Sequence, residues 1–388
     1  MEERSQVVVI GAGIIGCSTA YHLAALGVSE ITLLEMDQPG SGTSSKSASM
    51  LSLQFCQDEA LLPLALYSYE RYMAFEEEIG SPTDFCRTGW LTVAGRANAG
   101  KLLEAAHLLR SYGVTTEILT PEEIAYRYPE IHTADLVVGT YGPDDGPFDA
   151  HMILWGYLRK AREMGVRLRQ GVRATGIRVR SGRVEGVETD RGFFPAPMVV
   201  NAAGPWAAEV GRWVGIDVPQ DNRARCIWVT RPFPYIPQDR PFVEELDGEW
   251  YYRREGPGIL IGMGSVPVDR FDVELSDTLR DTMIERVVHR VPVLARASIQ
   301  TSWTGVRPLS RDGRPIVGPV PSIEGLFLNT GWGGMGLIQA PAAGRLLAEY
   351  IVQGEPTTFD ARPFAFSRFL NGAQGPAQPG RKGPAVEQ

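Results

Sequence analysis

The 388-residue sequence predicts an α/β fold, α+β overall, with a Rossmann-like unit at its start and a strand-rich interior. Three observations carry this. A short β-branched strand runs through a GxGxxG turn into a helix and a second strand. Two more glycine- or alanine-rich turns follow short apolar strands late in the chain. Between them lie several short strands separated by Pro- and Gly-rich turns.

The elements are expected in this order. Residues 6–10 are a buried parallel strand, and 14–26 a helix with Ile15, Ala20, Leu23 and Ala24 sharing one face. Residues 31–35 close a strand–helix–strand unit. The Gly/Ser-rich stretch 39–49 is a loop. Residues 58–79 are a helix, with Leu62, Leu66, Tyr69, Tyr72 and Phe75 at three-to-four spacing and Pro63 tolerable in the first turn. Strands are expected at 84–94 and 134–141 with a helix at 98–111 between them, then a helix at 150–164. A meander over 166–200 turns at Ser181-Gly182 and Asp190-Arg191-Gly192. Further strands fall at 224–230, 241–252 and 258–264, a helix at 276–290, a strand at 326–330 and a helix at 338–353. Residues 371–388, rich in Gly and Pro and poor in large apolar side chains, are expected to be a disordered tail.

Composition excludes several classes. Hydrophobic residues make up 44% and charged residues 22%, which rules out a disordered chain or a coiled coil. A net charge of -8 argues against a nucleic-acid partner. The cysteines Cys17, Cys56, Cys86 and Cys226 are scattered, with no zinc spacing, so we expect reduced thiols and no metal. No apolar run approaches the ~20 residues of a membrane span, and the N-terminus carries no leader pattern, so a cytoplasmic protein is expected. Glycine stands out: 43 of 388 residues, about 11% against a usual ~7%.

Gly11-Ala-Gly13-Ile14-Ile15-Gly16 places three of those glycines between strand and helix. Gly11 permits the turn, Gly13 lets backbone approach a pyrophosphate, and Gly16 lets the helix pack against the strand. The helix N-terminus offers N–H groups to phosphate. Glu35, ending the second strand, suits a ribose hydroxyl. This fingerprint does not separate FAD from NAD. Two later motifs favour a flat flavin. Val199-Val200-Asn201-Ala202-Ala203-Gly204-Pro205-Trp206 is a strand entering a small-residue turn. Asn329-Thr330-Gly331-Trp332-Gly333-Gly334-Met335-Gly336 precedes a helix, whose positive end would stabilise an anionic reduced flavin.

With WTGVRPLSRDGRPIVGP and NTGWGGMGLIQAPAAG near the C-terminus, these motifs make the chain resemble the D-amino-acid-oxidase-type FAD-dependent oxidoreductases. Glycine oxidase, sarcosine oxidase and the β subunits of sarcosine oxidase and proline dehydrogenase look most similar. The resemblance implies a FAD-binding domain built from discontinuous segments (1–85, 146–225 and 300–370). It also implies a substrate domain with a mixed, largely antiparallel sheet (86–145 and 226–299). It places Ser44, Ser45 and Lys46 at the pyrophosphate and flavin, Val172 at the adenine, and Ala203, Gly204 and Trp206 along the cofactor. Gly305, Arg307, Gly331, Gly333, Gly334, Met335, Gly336, Leu337 and Ile338 fall at the flavin end. Arg307 matches the arginine that grips the substrate carboxylate, a pairing that suits a guanidinium fork. Of Tyr251 and Tyr252, alternation lets one face the site, and we expect Tyr252. Trp332 and Met335 are expected to line the pocket.

Three departures from the resemblance narrow it. Leu337 and Ile338 stand where sarcosine-oxidase-like proteins carry a carboxylate-binding lysine. Gly334-Met335 replaces an Arg-Asn pair of glycine oxidase. No cysteine falls near Val306, where a covalent flavin link would form, so FAD is expected to be non-covalent. His151 lies near a family FMN-attachment position, but Ala150 occupies the matching place and His151 reads as an ordinary helix-start residue. The expected reaction is oxidation of the C–N bond of a small amino or imino acid to an imine, with proline, hydroxyproline or an N-alkyl glycine favoured. Alternatives are a flavoprotein subunit passing electrons to a partner, a peroxide-forming glycine or D-amino acid oxidase, a NAD(P)-linked enzyme, or a non-catalytic flavin subunit. Oxygen or a partner subunit is the expected acceptor, and a homo- or hetero-oligomer is possible on this resemblance.

Overall fold

Four consecutive β-branched residues form the first strand, Val7–Ile10, and all four are buried. In this computed structural model, which describes residues 4–370 apart from 270, 272, 274 and 275, that strand is central to a six-stranded sheet. It pairs in parallel with Met198–Asn201 on one side and Ile31–Glu35 on the other. Arg167–Gln170 and Leu326–Thr330 extend the parallel array, and Ile316–Pro319 adds an antiparallel edge. Burial on both faces explains the near-continuous apolar text of the inner strands, whereas the edge strand Arg167–Gln170 is polar and partly exposed. Helices Ile14–Ala25, Ala150–Glu163 and Ala340–Gln353 contribute to the core on one face, and the three-stranded meander Ala174–Arg180, Arg183–Thr189 and Gly192–Pro195 contributes to the core on the other. Ser181 and Gly182 both adopt positive φ at the first meander turn, the conformation a tight hairpin needs.

The second sheet has eight strands in the order Ile299–Ser310, Gln220–Thr230, Gly258–Pro267, Trp250–Glu255, Phe242–Glu245, Trp90–Ala94, Val138–Gly142, Glu117–Leu119. Every neighbouring pair is antiparallel except Phe242–Glu245 with Trp90–Ala94. One face packs on helix Asp277–Arg290 around Trp228, Trp250 and Tyr252. The buried Arg290 fastens that helix to the sheet through Glu245 at 3.0 Å and also grips Asp135 at 2.7 Å. The opposite face carries a smaller cluster with Trp90, Phe242 and Tyr251, and it is this face that meets the site.

Several elements differ from the sequence expectation. The helix expected at 58–79 is two helices, Leu62–Met73 and Phe75–Ile79, parted at Ala74. The strand expected from residue 84 starts at Trp90, because Asp84 and Gly89 take positive φ and 84–89 runs as loop. The strands Glu117–Leu119 and Ile316–Pro319 and the helices Pro121–Arg127 and Ala207–Arg212 carried no signal we used. The expected cut after residue 225 lies inside Gln220–Thr230, and the one after residue 299 lies inside Ile299–Ser310, so two long strands pass from one region into the other. The tail expected at 371–388 lies outside the described residues. No helix among those residues is long and apolar enough to cross a membrane. Among the described residues Cys17, Cys56 and Cys226 are buried free thiols and Cys86 is exposed.

Asp145 pins the loop that leads to the site. Its carboxylate accepts from Ser52 Oγ at 2.5 Å and from the backbone N–H groups of Leu53 and Gln54 at 3.1 Å. Burial outweighs these bonds and pushes its pKa up to about 7. The folded state therefore holds this proton more tightly than the unfolded chain. The group's contribution to stability is complete below about pH 4 and is lost as pH rises towards about 7. In Asp145→Asn, denaturant unfolding between pH 4 and 7 should lose this component, so that the variant's cost relative to wild type shrinks as pH rises. A cost independent of pH over that window would contradict the assignment.

Candidate functional site

Between the two sheets runs one elongated cavity of about 420 Å³. Its first end is built by the turn after the first strand. Gly11 has φ +101°, and a Cβ there would stand 2.7 Å from the carbonyl oxygen of Ala202 on the neighbouring strand. No residue but glycine is comfortable in that position. Gly13, Ile14 and Ile15 line the cavity, whereas Gly16 does not. A Cβ at Gly16 would meet the Gly11 carbonyl oxygen at 1.8 Å, so this glycine is what lets the helix sit on its own turn. The first turn of Ile14–Ala25 holds no acidic side chain, which leaves its positive end for an anion. Ser44 reaches it: Ile14 N–H donates to Ser44 Oγ at 3.0 Å.

Glu35 is buried at the same end. Its carboxylate accepts from the backbone N–H of Ala12 at 3.0 Å and of Asp37 at 2.9 Å. Burial raises its pKa, and the backbone bonds work against that shift. The Val172 N–H donates to the Glu35 carbonyl at 2.9 Å, placing Val172 beside it on the cavity wall. Ala203, Gly204 and Trp206 form the middle of the wall. Gly204 has φ +55°, and no protein atom would lie within 4 Å of a Cβ built there. Ser45 is turned away from the cavity, its hydroxyl donating to the carbonyls of Ser41 and Gly42 at 3.3 Å. Lys46 lines it and covers Gly305, where a Cβ would meet the Lys46 Cβ at 2.8 Å.

The far end is the loop before helix Ala340–Gln353. Trp332, Gly333, Gly334, Gly336, Leu337 and Ile338 line the cavity. Gly333 N–H donates to the Pro308 carbonyl at 2.8 Å, and Trp332 Nε1 donates to Asn329 Oδ1 at 2.8 Å. A side chain at Gly334 would meet Arg307 Nη1 and the Phe55 ring at 3.3 Å, so the loop, the arginine and the ring close on one space. Gly331 and Met335 lie off the cavity, against the expectation. Gly331 packs beneath Ser310, and Met335 Sδ accepts from Gln339 Nε2 at 3.5 Å within the helical core.

Beyond this end the eight-stranded sheet presents a face that sequence reasoning mostly missed. Trp90 and Phe242 stack with centroids 3.8 Å apart, and Phe242 stacks on Tyr251 at 5.0 Å. Glu244 pairs across from Tyr251 in register, so both point to the cavity. Arg225 and Arg307 complete the polar part. Tyr252 is a correction: alternation sends it to the opposite core, 1% exposed and stacked on Trp250 at 6.2 Å, and Tyr251 takes the cavity position. Arg225, Glu244, Trp90, Phe242 and Phe55 could have been found only with the register of the sheet in hand. His151 lies away from the cavity, its N–H bonded to Asp149 Oδ1 at 2.7 Å at a helix start.

The sequence profile of the DAO family, described as FAD dependent oxidoreductase, matches residues 6–350. The chain belongs to this family. It is therefore a FAD-dependent oxidoreductase, and the cavity suits that cofactor: two glycine-rich ends, a helix terminus free of acidic side chains at the first of them and a buried carboxylate where a ribose would sit. Mouse (Mus musculus) mitochondrial sarcosine dehydrogenase is 33% identical over 95% of this chain, which spans 42% of that protein's length. Dimethylglycine dehydrogenase from Rattus norvegicus is 29% identical over 92% of the chain and 44% of its own length. The chain thus spans less than half of these curated relatives. Among solved structures, L-proline dehydrogenase from P. horikoshii superposes with a TM-score of 0.87 at 25% identity, covering 96% of this chain and 99% of that one. Glycine oxidase from Geobacillus kaustophilus does so with a TM-score of 0.84 at 30% identity, covering 94% and 99%.

Glu35→Ala removes the carboxylate without touching the flavin end. Flavin titration of the apoprotein should give a Kd for FAD raised about tenfold or more, the scale of one lost hydrogen bond to a charged group. An unchanged Kd would mean that the ribose is held elsewhere.

Proposed function

We propose that the chain oxidises the C–N bond of a small amino or imino acid carrying a secondary amine, taking it to the imine. One observation carries the reading: Arg307 lines the cavity at the same point as Gly334 and Phe55, directly beyond the flavin-end loop. A guanidinium placed there suits the carboxylate of an amino acid lying against that loop. FAD supplies a two-electron acceptor when bound, and we expect it to be held non-covalently, since among the described residues no cysteine or histidine lines the cavity.

The remaining residues orient and desolvate. Trp90, Phe242 and Phe55 give the substrate an apolar wall that excludes water and accommodates an N-substituent or a ring. Their presence supports a secondary amine over glycine. Of the relatives, those named for sarcosine and proline act on secondary amines, the one named for dimethylglycine on a tertiary amine and the one named for glycine on a primary amine. With the reading goes a division of labour. Residues 1–85, 146–225 and 300–370 hold the cofactor, and 86–145 and 226–299 supply most of the substrate wall. The two electrons pass on to oxygen or to a partner protein. Anaerobic photoreduction followed by air separates these, because rapid reoxidation with peroxide marks an oxidase.

The test is anaerobic bleaching of the flavin by a panel of glycine, sarcosine, dimethylglycine and the enantiomers of proline and hydroxyproline. A substituted amine should bleach it fastest. Glycine as the best substrate, or no bleaching by any of them, would overturn the proposal. In Arg307→Lys the fork is lost and one charge kept, so kcat/KM for the best substrate should fall about 10- to 100-fold, mainly through KM. A fall confined to kcat would show that Arg307 does not hold the carboxylate.

A further inference from the structure

Behind the eight-stranded sheet, on the side of helix Asp277–Arg290, a second set of chemically active side chains comes together. His132 and Asp135 lie on the loop that leads into strand Val138–Gly142, and His289 lies in the last turn of the helix. One ligand atom from each, two imidazole nitrogens and a carboxylate oxygen, fall within 4.8 Å of one another. His289 Nε2 stands 3.2 Å from Asp135 Oδ2, and the rings of His132 and His289 meet edge to face with centroids 5.2 Å apart. None of the three lines the cavity. Local spacing could not show this set, because Asp135 and His289 are 154 positions apart in the chain.

The backbone around these side chains is fixed. The His132 N–H donates to the Arg290 carbonyl at 2.7 Å, and Arg290 Nη1 donates back to the His132 carbonyl. The Leu136 N–H donates to the Thr133 carbonyl at 3.0 Å, a turn that carries Asp135 round beside His132. Arg290, 1% exposed, grips both oxygens of Asp135 at 2.7 and 2.9 Å. That guanidinium holds the Asp135 carboxyl well below the usual carboxylate range, so it is ionised, and each of its oxygens keeps a second lone pair for a further partner. Arg290 also bonds both oxygens of Glu245, at 3.0 and 3.2 Å. One guanidinium is thus shared by two carboxylates, and the paired set carries one negative charge in excess when both imidazoles are neutral. A divalent cation at the exposed edge of Asp135 meets that excess. It also stands at the C-terminal end of a 14-residue helix, where the dipole favours positive charge.

We infer that His132, Asp135 and His289 form a binding site for one divalent transition-metal ion of the zinc class. Two imidazoles and a carboxylate suit Zn²⁺ and its neighbours over Mg²⁺ and Ca²⁺, which seek oxygen ligands alone. Zinc–ligand bonds of about 2.0–2.2 Å set tetrahedral ligand atoms roughly 3.3–3.5 Å apart, so side-chain movements of about 1 Å close the observed triangle. Three protein ligands leave the fourth position to water. All three side chains are exposed, so the ion enters from solvent without opening the fold. Bound there, it ties the loop at 132–135 to the end of helix Asp277–Arg290 and clamps the Arg290–Glu245 contact that backs the substrate wall.

The test is calorimetric titration of ZnCl₂ into the chelator-treated, flavin-loaded protein, with MgCl₂ as the comparison. We expect one Zn²⁺ per chain with a Kd of about 10 µM or tighter, and no saturable Mg²⁺ binding in the same range. Saturation with Zn²⁺ should raise Tm by at least about 2 °C. In His132→Ala and in His289→Ala the Kd should rise about tenfold or more, and in the double variant the gain in Tm should vanish. His151→Ala, at a different helix, should bind as the wild-type protein does. No saturable Zn²⁺ binding to the wild-type protein below about 1 mM overturns the inference, and needs no variant to fold. One equivalent bound with undiminished affinity by the double variant overturns it as well. So does a zinc-edge anomalous peak in soaked wild-type crystals that lies away from these three side chains.

Discussion

The site rests on one close approach: the turn after the first strand presses against the carbonyl of Ala202, with no room for a side chain at Gly11. Because that turn is tight, helix Ile14–Ala25 begins beside the sheet and presents its positive end to the cavity. The same tightness sets Glu35 against Ala12, with Val172 bonded to the Glu35 carbonyl, at one extremity. Along the wall, Gly204, Gly333 and Gly334 keep backbone rather than side chain facing the void. A long, flat ligand touched mainly by main chain follows from this geometry. It also accounts for part of a glycine content that composition alone leaves unassigned.

Chemical selectivity is handled by different material. The substrate end is a sheet face, and a sheet face is read through pleat and register. Glu245 turns to Arg290 and the helical core, while its neighbour Glu244 turns to the cavity. Tyr252 and Tyr251 divide in the same way. The buried Arg290 network holds that strand from behind, so the polar groups in front are set on a rigid frame. Loop 52–54, pinned by Asp145, brings Phe55 to the opposite side.

This division accounts for what could be read before the fold was known. The dinucleotide fingerprint, the Ala202–Gly204 turn and the Trp332–Gly336 loop depend on local backbone needs, which sequence writes directly. Of the twenty-three expected positions, eighteen line one cavity; Gly16, Ser45, Gly331, Met335 and Tyr252 face elsewhere, the first and third because their glycines serve packing. Arg225, Glu244, Trp90 and Phe242 left no local trace. They lie on three different strands, and only a register spanning more than a hundred residues brings them together. The splitting of the 58–79 helix was hidden for a related reason, since apolar spacing continues through Ala74 while the backbone does not.

The central claim is that one cavity holds the cofactor lengthwise and offers its substrate to Arg307 at the far end. A crystal structure of the flavin-loaded chain with methylthioacetate measures this most directly. The account predicts the adenosine beside Glu35 and Val172, the flavin ring against the Trp332–Gly334 loop, and the ligand carboxylate on Arg307. A flavin ring at the Glu35 end, or a carboxylate bound away from Arg307, would contradict it.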